Sequence, residues 1–82
     1  RDVYPNPVRS EATFVYALPD AVTVRLEIFD LLGRKVATVA NGRRSAGRHE
    51  ATWRVGSVSS GVYLARFTAA GRSIVQKIVV VQ

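Results

Sequence analysis

The last third of the sequence reads SGVYLARF at residues 60–67, then Ala70-Gly71, then SIVQKIVVV at residues 73–81. Two runs rich in β-branched and aromatic residues, separated by a short segment that contains glycine, are typical of a β-hairpin. Glycine adopts the positive φ of such a turn at no steric cost. The pattern therefore predicts a hairpin that runs to the end of the given sequence.

Upstream of this hairpin, large apolar residues alternate with polar or smaller ones. The alternation is clearest at Phe14–Leu18, Val22–Ile28 and Ala51–Val55. A period of two residues indicates half-buried strands. Val36 with Val39 predicts one more strand. Within the hairpin, two interpretations of the inward face stay open, Val62 with Leu64 or Tyr63 with Phe67.

Turn-forming residues separate these runs. They are Leu18-Pro19-Asp20, Leu32-Gly33, Asn41-Gly42, Gly47, Ser59-Ser60-Gly61 and Ala70-Gly71. Asp30–Arg34 fits a short loop with a glycine bulge between the third and fourth strands. Six to seven short strands that recur about every 8–12 residues predict an all-β fold. The expected architecture is an immunoglobulin-like antiparallel β-sandwich that occupies residues 1–82 as a single domain. A small closed barrel is the alternative.

The composition supports a folded domain. Apolar residues make up 48% of the 82 residues, and there is no cysteine or methionine. We expect no disulfide, no membrane span and no export leader, and the absence of an initial methionine suggests a piece of a longer protein. Tyr4-Pro5-Asn6-Pro7 excludes a helix and fits a sheet edge or a crossover, because proline lacks an amide donor.

The chain is basic, with a net charge of +6, and no acid follows Glu50. Five cations close in the sequence form a possible basic patch: Arg34, Lys35, Arg43, Arg44 and Arg48. Such a patch attracts polyanions without selecting among them. Nucleic acid is not expected as a partner, because no aromatic residues are interleaved with these cations. Solvated strand faces and loops are the alternative interpretation.

No set of residues predicts catalysis. His49 is the one histidine, the serines near Ser59 lack the spacing of a nucleophile elbow, and the six carboxylates are scattered along the chain. We therefore expect no enzyme, metal, cofactor or small-molecule substrate. Trp53 lies among inward apolar positions and is expected to anchor the core rather than to stack on a ligand.

Several motifs, in order, resemble the C-terminal sorting domain of the type IX secretion system. They are Tyr4-Pro5-Asn6-Pro7-Val8, Ile28–Val36, Ala46–His49, Trp53, Ser60–Tyr63 and Gly71–Val81. The resemblance implies an immunoglobulin-like, non-catalytic address label. Proteins that carry such a label reach the cell surface or the medium after passage through the periplasm and outer membrane. The implied partners are the outer-membrane secretion machinery and a sortase-like protease.

The resemblance also implies which residues form the sorting signal. They are Gly61, Tyr63, Gly71, Lys77, Ile78, Val79, Val80 and Val81. The family often ends with a second basic residue, where this chain has Gln82. The expected mechanism is that the glycine turns fix the register of the last hairpin, which presents Lys77 and the final strand to a receptor. An immunoglobulin-like, fibronectin-type or flagellar-hook-capping-like structural module is the main alternative function.

Overall fold

The computed structural model describes residues 2–4 and 7–82, and Pro5 and Asn6 of the proline-rich segment lie outside this range. Within these limits the chain forms seven strands and no helix. The strands are β1 (Asp2–Tyr4), β2 (Glu11–Leu18), β3 (Val22–Phe29), β4 (Lys35–Arg44), β5 (Gly47–Arg54), β6 (Gly61–Ala69) and β7 (Arg72–Val80).

The strands make two antiparallel sheets. One has three strands in the order β1-β2-β5, and the other has four in the order β4-β3-β6-β7. A three-stranded sheet that faces a sheet of this order is an immunoglobulin-like sandwich. The predicted fold class is therefore confirmed, and the barrel is not what the chain forms.

In each alternating run, the large apolar side chains point into the space between the two sheets. Phe14 and Tyr16 of β2, Leu26 and Ile28 of β3 and Trp53 of β5 are at most 7% exposed. These side chains belong to one continuous hydrophobic cluster. Period-two patterning thus gave the correct inward face for the three longest upstream runs.

In the closing hairpin, the inward face of β6 carries Tyr63, Ala65 and Phe67, which settles the alternative left open by the sequence. The turn to β7 consists of Ala70 and Gly71, with φ of 53° and 75°. Positive φ at both central positions defines the type I′ turn, whose twist matches that of the flanking strands. The predicted hairpin is confirmed together with its turn.

The turn predicted at Asn41-Gly42 is wrong. β4 continues through both residues to Arg44, and the chain turns at Ser45 and Ala46 instead. The physical reason is the length of β3, whose first residues, Val22 to Val24, still offer backbone partners to Gly42–Arg44. Val36 and Val39 fall at the two register shifts between β3 and β4, which explains why these valines do not alternate with period two.

Val8 joins the two ends of the chain. After β1 the chain crosses to the other sheet, where Val8 makes a parallel bridge with Val80 at the outer edge of β7. Its N–H donates to the Val79 carbonyl at 2.7 Å, and its carbonyl accepts from the Val81 N–H at 2.8 Å. Val8 is fully buried. The sheet edge or crossover predicted for Tyr4-Pro5-Asn6-Pro7 includes Pro5 and Asn6, which lie outside the described residues.

Candidate functional site in the closing hairpin

Most residues of the predicted sorting signal hold the hairpin in shape. Gly61 is the first residue of β6 and has a φ of 155°. Gly71 is the last residue of the turn before β7 and has a φ of 75°. Tyr63 is 7% exposed, its hydroxyl donates to the Ser59 carbonyl at 2.6 Å, and its ring meets Trp53 edge-on at 5.9 Å. A partner that docks on the folded domain therefore has little access to Tyr63.

The final residues of β7 are part of the core. Ile78 and Val80 are 0% and 1% exposed, and the Val79 carbonyl and the Val81 N–H are both used by Val8. In an antiparallel strand the side chains alternate between faces, so Ile78 and Val80 point between the sheets. Ile78 and Val80 therefore contribute to a sorting signal by stabilising the folded hairpin, not by direct contact with a partner.

Lys77 is the one residue of the set whose side chain is exposed, since Gly61 and Gly71 are exposed but carry no side chain. It lies directly opposite Leu64 of β6, on the outer face of the four-stranded sheet. No ion pair joins it to another residue within 2–4 and 7–82. Its ammonium group is therefore available to a negatively charged partner.

A shallow depression adjoins Lys77 on the same face, because Leu64, the cross-strand neighbour of Lys77, is part of its lining. The lining is mainly apolar with one carboxylate and one guanidinium, and the volume is about 300 Å³; the residues are Phe29, Asp30, Leu31, Gly33, Leu64, Arg66 and Val75. Leu31 and Val75 are 65% and 58% exposed, an unusual degree for large apolar side chains that lie so close together. We call this surface the outer-face depression.

A buried carboxylate binds Arg66, one of the residues that line the depression. Glu27 on β3 has a side chain only 8% exposed, and it accepts hydrogen bonds from Arg66 at 3.1 Å and Lys35 at 3.5 Å. The Arg66 hydrogen bond, helped by the charges of Lys35 and Arg25, holds the pKa of Glu27 below its usual range, although burial opposes the shift. The Arg66 guanidinium also lies 4.7 Å from the centroid of the Phe29 ring, which positions both residues.

Asp30 organises the predicted loop between β3 and β4. Its carboxylate accepts from the backbone N–H groups of Leu32 and Arg34, both at 2.9 Å, and from Arg34 Nε at 2.8 Å. The backbone hydrogen bond from Arg34 is the largest cause that lowers the pKa of Asp30. Gly33 completes the loop with φ of 83°. The loop prediction is confirmed. This loop holds Leu31 in the lining of the outer-face depression.

Glu27 and Asp30 predict acid sensitivity. Because both pKa values are lower in the folded state, the stability that they contribute is fully present above about pH 5, in the range above the unfolded values, and is lost as the pH falls through the folded values. Urea unfolding followed from pH 7 to pH 2.5 should show a falling free energy of unfolding below about pH 5. Glu27→Gln should flatten this fall.

The control for Glu27→Gln is Glu11→Gln. Glu11 is half exposed and lies 4.0 Å from Arg54, so its ion pair is screened by water. The fall in stability with acid should remain in Glu11→Gln. A steep fall that is the same in Glu27→Gln as in the unsubstituted chain would contradict the assignment.

The five cations of the possible basic patch do not share one surface. Arg34 and Lys35 lie where β4 begins, and Arg43 and Arg44 lie where it ends, about 25 Å away in an extended strand. Arg34 is paired with Asp30, Lys35 with Glu27, and Arg48 with Glu50. The structure therefore places these five cations at the two ends of β4 rather than in one cluster.

His49 packs within the sandwich edge. Its ring stacks on Tyr16 at 5.4 Å, and its Nε2 lies 2.7 Å from the Ser45 carbonyl. Among the residues that the structure describes, no group of three or more His, Cys, Asp or Glu side chains could hold a metal ion. The same residues include no helix of a length and apolarity suited to crossing a membrane.

Gln82 has a structural role that the sequence did not reveal. Its side-chain amide donates to the carbonyls of Gly56 and Val58 at 3.0 and 2.7 Å, and its backbone N–H donates to Ser60 Oγ at 2.7 Å. These bonds tie the residue after β7 to the loop before β6.

Comparison with known proteins gives one match. The family model described as "Secretion system C-terminal sorting domain" matches residues 2–81. The search of curated proteins found no match, and the search of solved structures found none either.

Proposed function

The chain belongs to the family of secretion-system C-terminal sorting domains, and we propose that the outer face of its closing hairpin is the surface that the secretion machinery reads, with Lys77 as the contacted cation. A domain of this family is the sorting signal for type IX secretion. It thus interacts with the secretion machinery and directs export. The proposal concerns which residues carry that signal.

The single observation that carries the proposal is the position of Lys77. Of the residues in the predicted signal, Gly61 begins β6 and Gly71 completes the turn before β7. Tyr63, Ile78 and Val80 are buried, and Val79 and Val81 are half-buried and hydrogen-bonded to Val8. Lys77 is exposed, has no ion-pair partner in the described part of the chain, and adjoins the outer-face depression. A cation beside apolar surface suits a partner that offers both a carboxylate and an apolar side chain.

The remaining roles follow from this interpretation. The domain performs no reaction of its own, since it acts by being recognised. The receptor belongs to the outer-membrane machinery, and a sortase-like protease acts on the exported parent, which ends at the cell surface or in the medium. The mechanism needs a folded hairpin, because the register between β6 and β7 determines the position of Lys77 on the outer face of the sheet.

Charge reversal at Lys77 should strongly reduce export. With a passenger fused to the domain in a host that has this pathway, Lys77→Glu should lower the exported fraction by about tenfold or more, because like charges then face each other across the contact. The measurement is passenger in the medium and on the surface relative to passenger retained in the cell.

Arg43→Glu is the matched control. Arg43 is an exposed arginine on β4, the opposite edge of the same sheet, so its reversal changes the net charge equally and should leave export unchanged. Both variants should keep the urea midpoint of the parent. Undiminished export of Lys77→Glu, or an equal loss in Arg43→Glu, would reject Lys77 as a specific contact.

A further inference from the structure

The outer edge of β7 is open along half of its length. β7 is the last strand of its sheet, and Val8 covers that edge only at Val79–Val81. From Arg72 to Lys77, no strand among residues 2–4 and 7–82 pairs with this edge.

The direction of each backbone group on this edge follows from the Val8 bridge. The Val79 carbonyl and the Val81 N–H point outward, toward Val8. Because successive residues of a strand alternate, the N–H and C=O groups of Ser73, Val75 and Lys77 also point outward, whereas those of the residues between them bond to β6. The open edge therefore offers a ladder of three residues.

The two sheets leave an apolar groove beside this ladder. Phe14 and Tyr16 of β2 and Phe67, Ile74 and Gln76 of the hairpin line its inner part. Ile74 and Gln76 occupy inward-facing positions of β7, yet Ile74 is 38% exposed and Gln76 is exposed as well. The three-stranded sheet does not cover them.

We propose that the open edge of β7, from Ser73 to Lys77, accepts an extended, acid-bearing segment of the secretion machinery as an added strand. This inference rests on the proposed function and deepens it. Backbone hydrogen bonds to the three outward residues would hold the segment, and every second side chain would enter the groove over Ile74. The remaining side chains would lie beside Val75 and Lys77, where a carboxylate meets the ammonium group.

Charge decides between possible occupants. Arg72 and Lys77 bracket the open edge, and the chain has no acid after Glu50 and a net charge of +6. Pairing two β7 strands would bring the cations of both copies into one interface, and an edge lysine disfavours such self-pairing. A segment that carries carboxylates complements this edge, whereas a second copy of the chain does not. An added strand of so few residues also makes a small contact, as suits a transient encounter with a transporter.

Val75→Pro tests the added strand. Proline removes the outward N–H of Val75 and no hydrogen bond to β6, and an edge position with its N–H toward solvent is where a strand tolerates proline. We expect the domain to stay folded and export of the fused passenger to fall about tenfold, because one ladder bond is lost and the ring obstructs the edge. Val75→Ile keeps both the N–H and an apolar β-branched side chain in the depression, so export should stay near the parental level.

Folding is checked by the urea midpoint of each purified variant. If Val75→Pro does not fold, Ser73→Pro takes its place, since Ser73 has the same outward geometry. Export of the folded proline variant at the parental level would overturn the added strand. An equal loss in Val75→Ile would also overturn it, because that variant keeps the outward N–H.

The outcomes also separate this inference from the proposed function. Full export of the proline variant together with loss in Lys77→Glu would reject the added strand and retain Lys77 as the contact. Full export of both variants would reject both. A dimer of the isolated domain in analytical ultracentrifugation that disappears in Val75→Pro would assign the edge to a second copy and overturn the choice of occupant.

Discussion

Deletion of Ile78–Gln82 should abolish cooperative folding. It removes Ile78 and Val80, which are 0% and 1% exposed, and the hydrogen bonds that Val8 makes to the end of the chain. Loss of one buried aliphatic side chain costs about 2–5 kcal/mol. A chain of this length has a total stability of about 4–12 kcal/mol, so two such losses together with the lost hydrogen bonds exceed or exhaust it. Circular dichroism and Trp53 fluorescence should show no cooperative transition in urea.

Gln82→Ala is the control for this deletion. It removes only the side-chain bonds to Gly56 and Val58 at the exposed end, so it should cost about 1–3 kcal/mol and leave a cooperative transition. If the deleted chain instead unfolds cooperatively near the parental midpoint, the closing strand is not integral to the core. The deletion also shows why point substitutions on the surface are needed, because a truncated signal that fails in export has lost its fold as well as its last residues.

Much of the fold could be predicted because apolar residues alternate wherever a strand has one buried face. β2, β3 and β5 follow this rule, and so does the inward half of β7 from Ile78 onward. The rule failed where backbone pairing departed from regular register. Val36 and Val39 lie at bulges, and Asn41-Gly42 continues a strand because β3 extends opposite it.

The candidate site was less predictable because it depends on contacts between residues distant in sequence. Lys77 was identified through the resemblance, but its freedom from ion pairs in the described chain depends on the register of β6 against β7. Glu27 meets Arg66, 39 positions away, and no local pattern indicates that pair. Gln76 and Lys77, which interrupt an apolar run, are typical of an edge strand, and β7 does lie at the edge of its sheet. The extent of the open part could not be predicted, because it depends on where the Val8 bridge stops.

Trp53→Ala should be the most damaging single substitution in the interior. Trp53 lies on β5 of the three-stranded sheet and meets Tyr63 on β6 of the four-stranded sheet, so the pair joins the two layers. Replacing a buried tryptophan by alanine costs about 3–5 kcal/mol, since it removes apolar burial and leaves a cavity. This is a large part of the stability of so small a domain, and the urea midpoint followed by circular dichroism should fall accordingly.

Tyr63→Phe distinguishes packing from recognition at the same contact. It keeps the ring against Trp53 and removes the hydroxyl that donates to Ser59, so it should cost about 1 kcal/mol and leave export of a fused passenger close to the parental level. Trp53→Ala should reduce export only to the extent that it unfolds the domain. If Tyr63→Phe stays folded and export collapses, then the tyrosine of the family motif is itself read by the machinery, and the division between a buried scaffold and an exposed Lys77 fails.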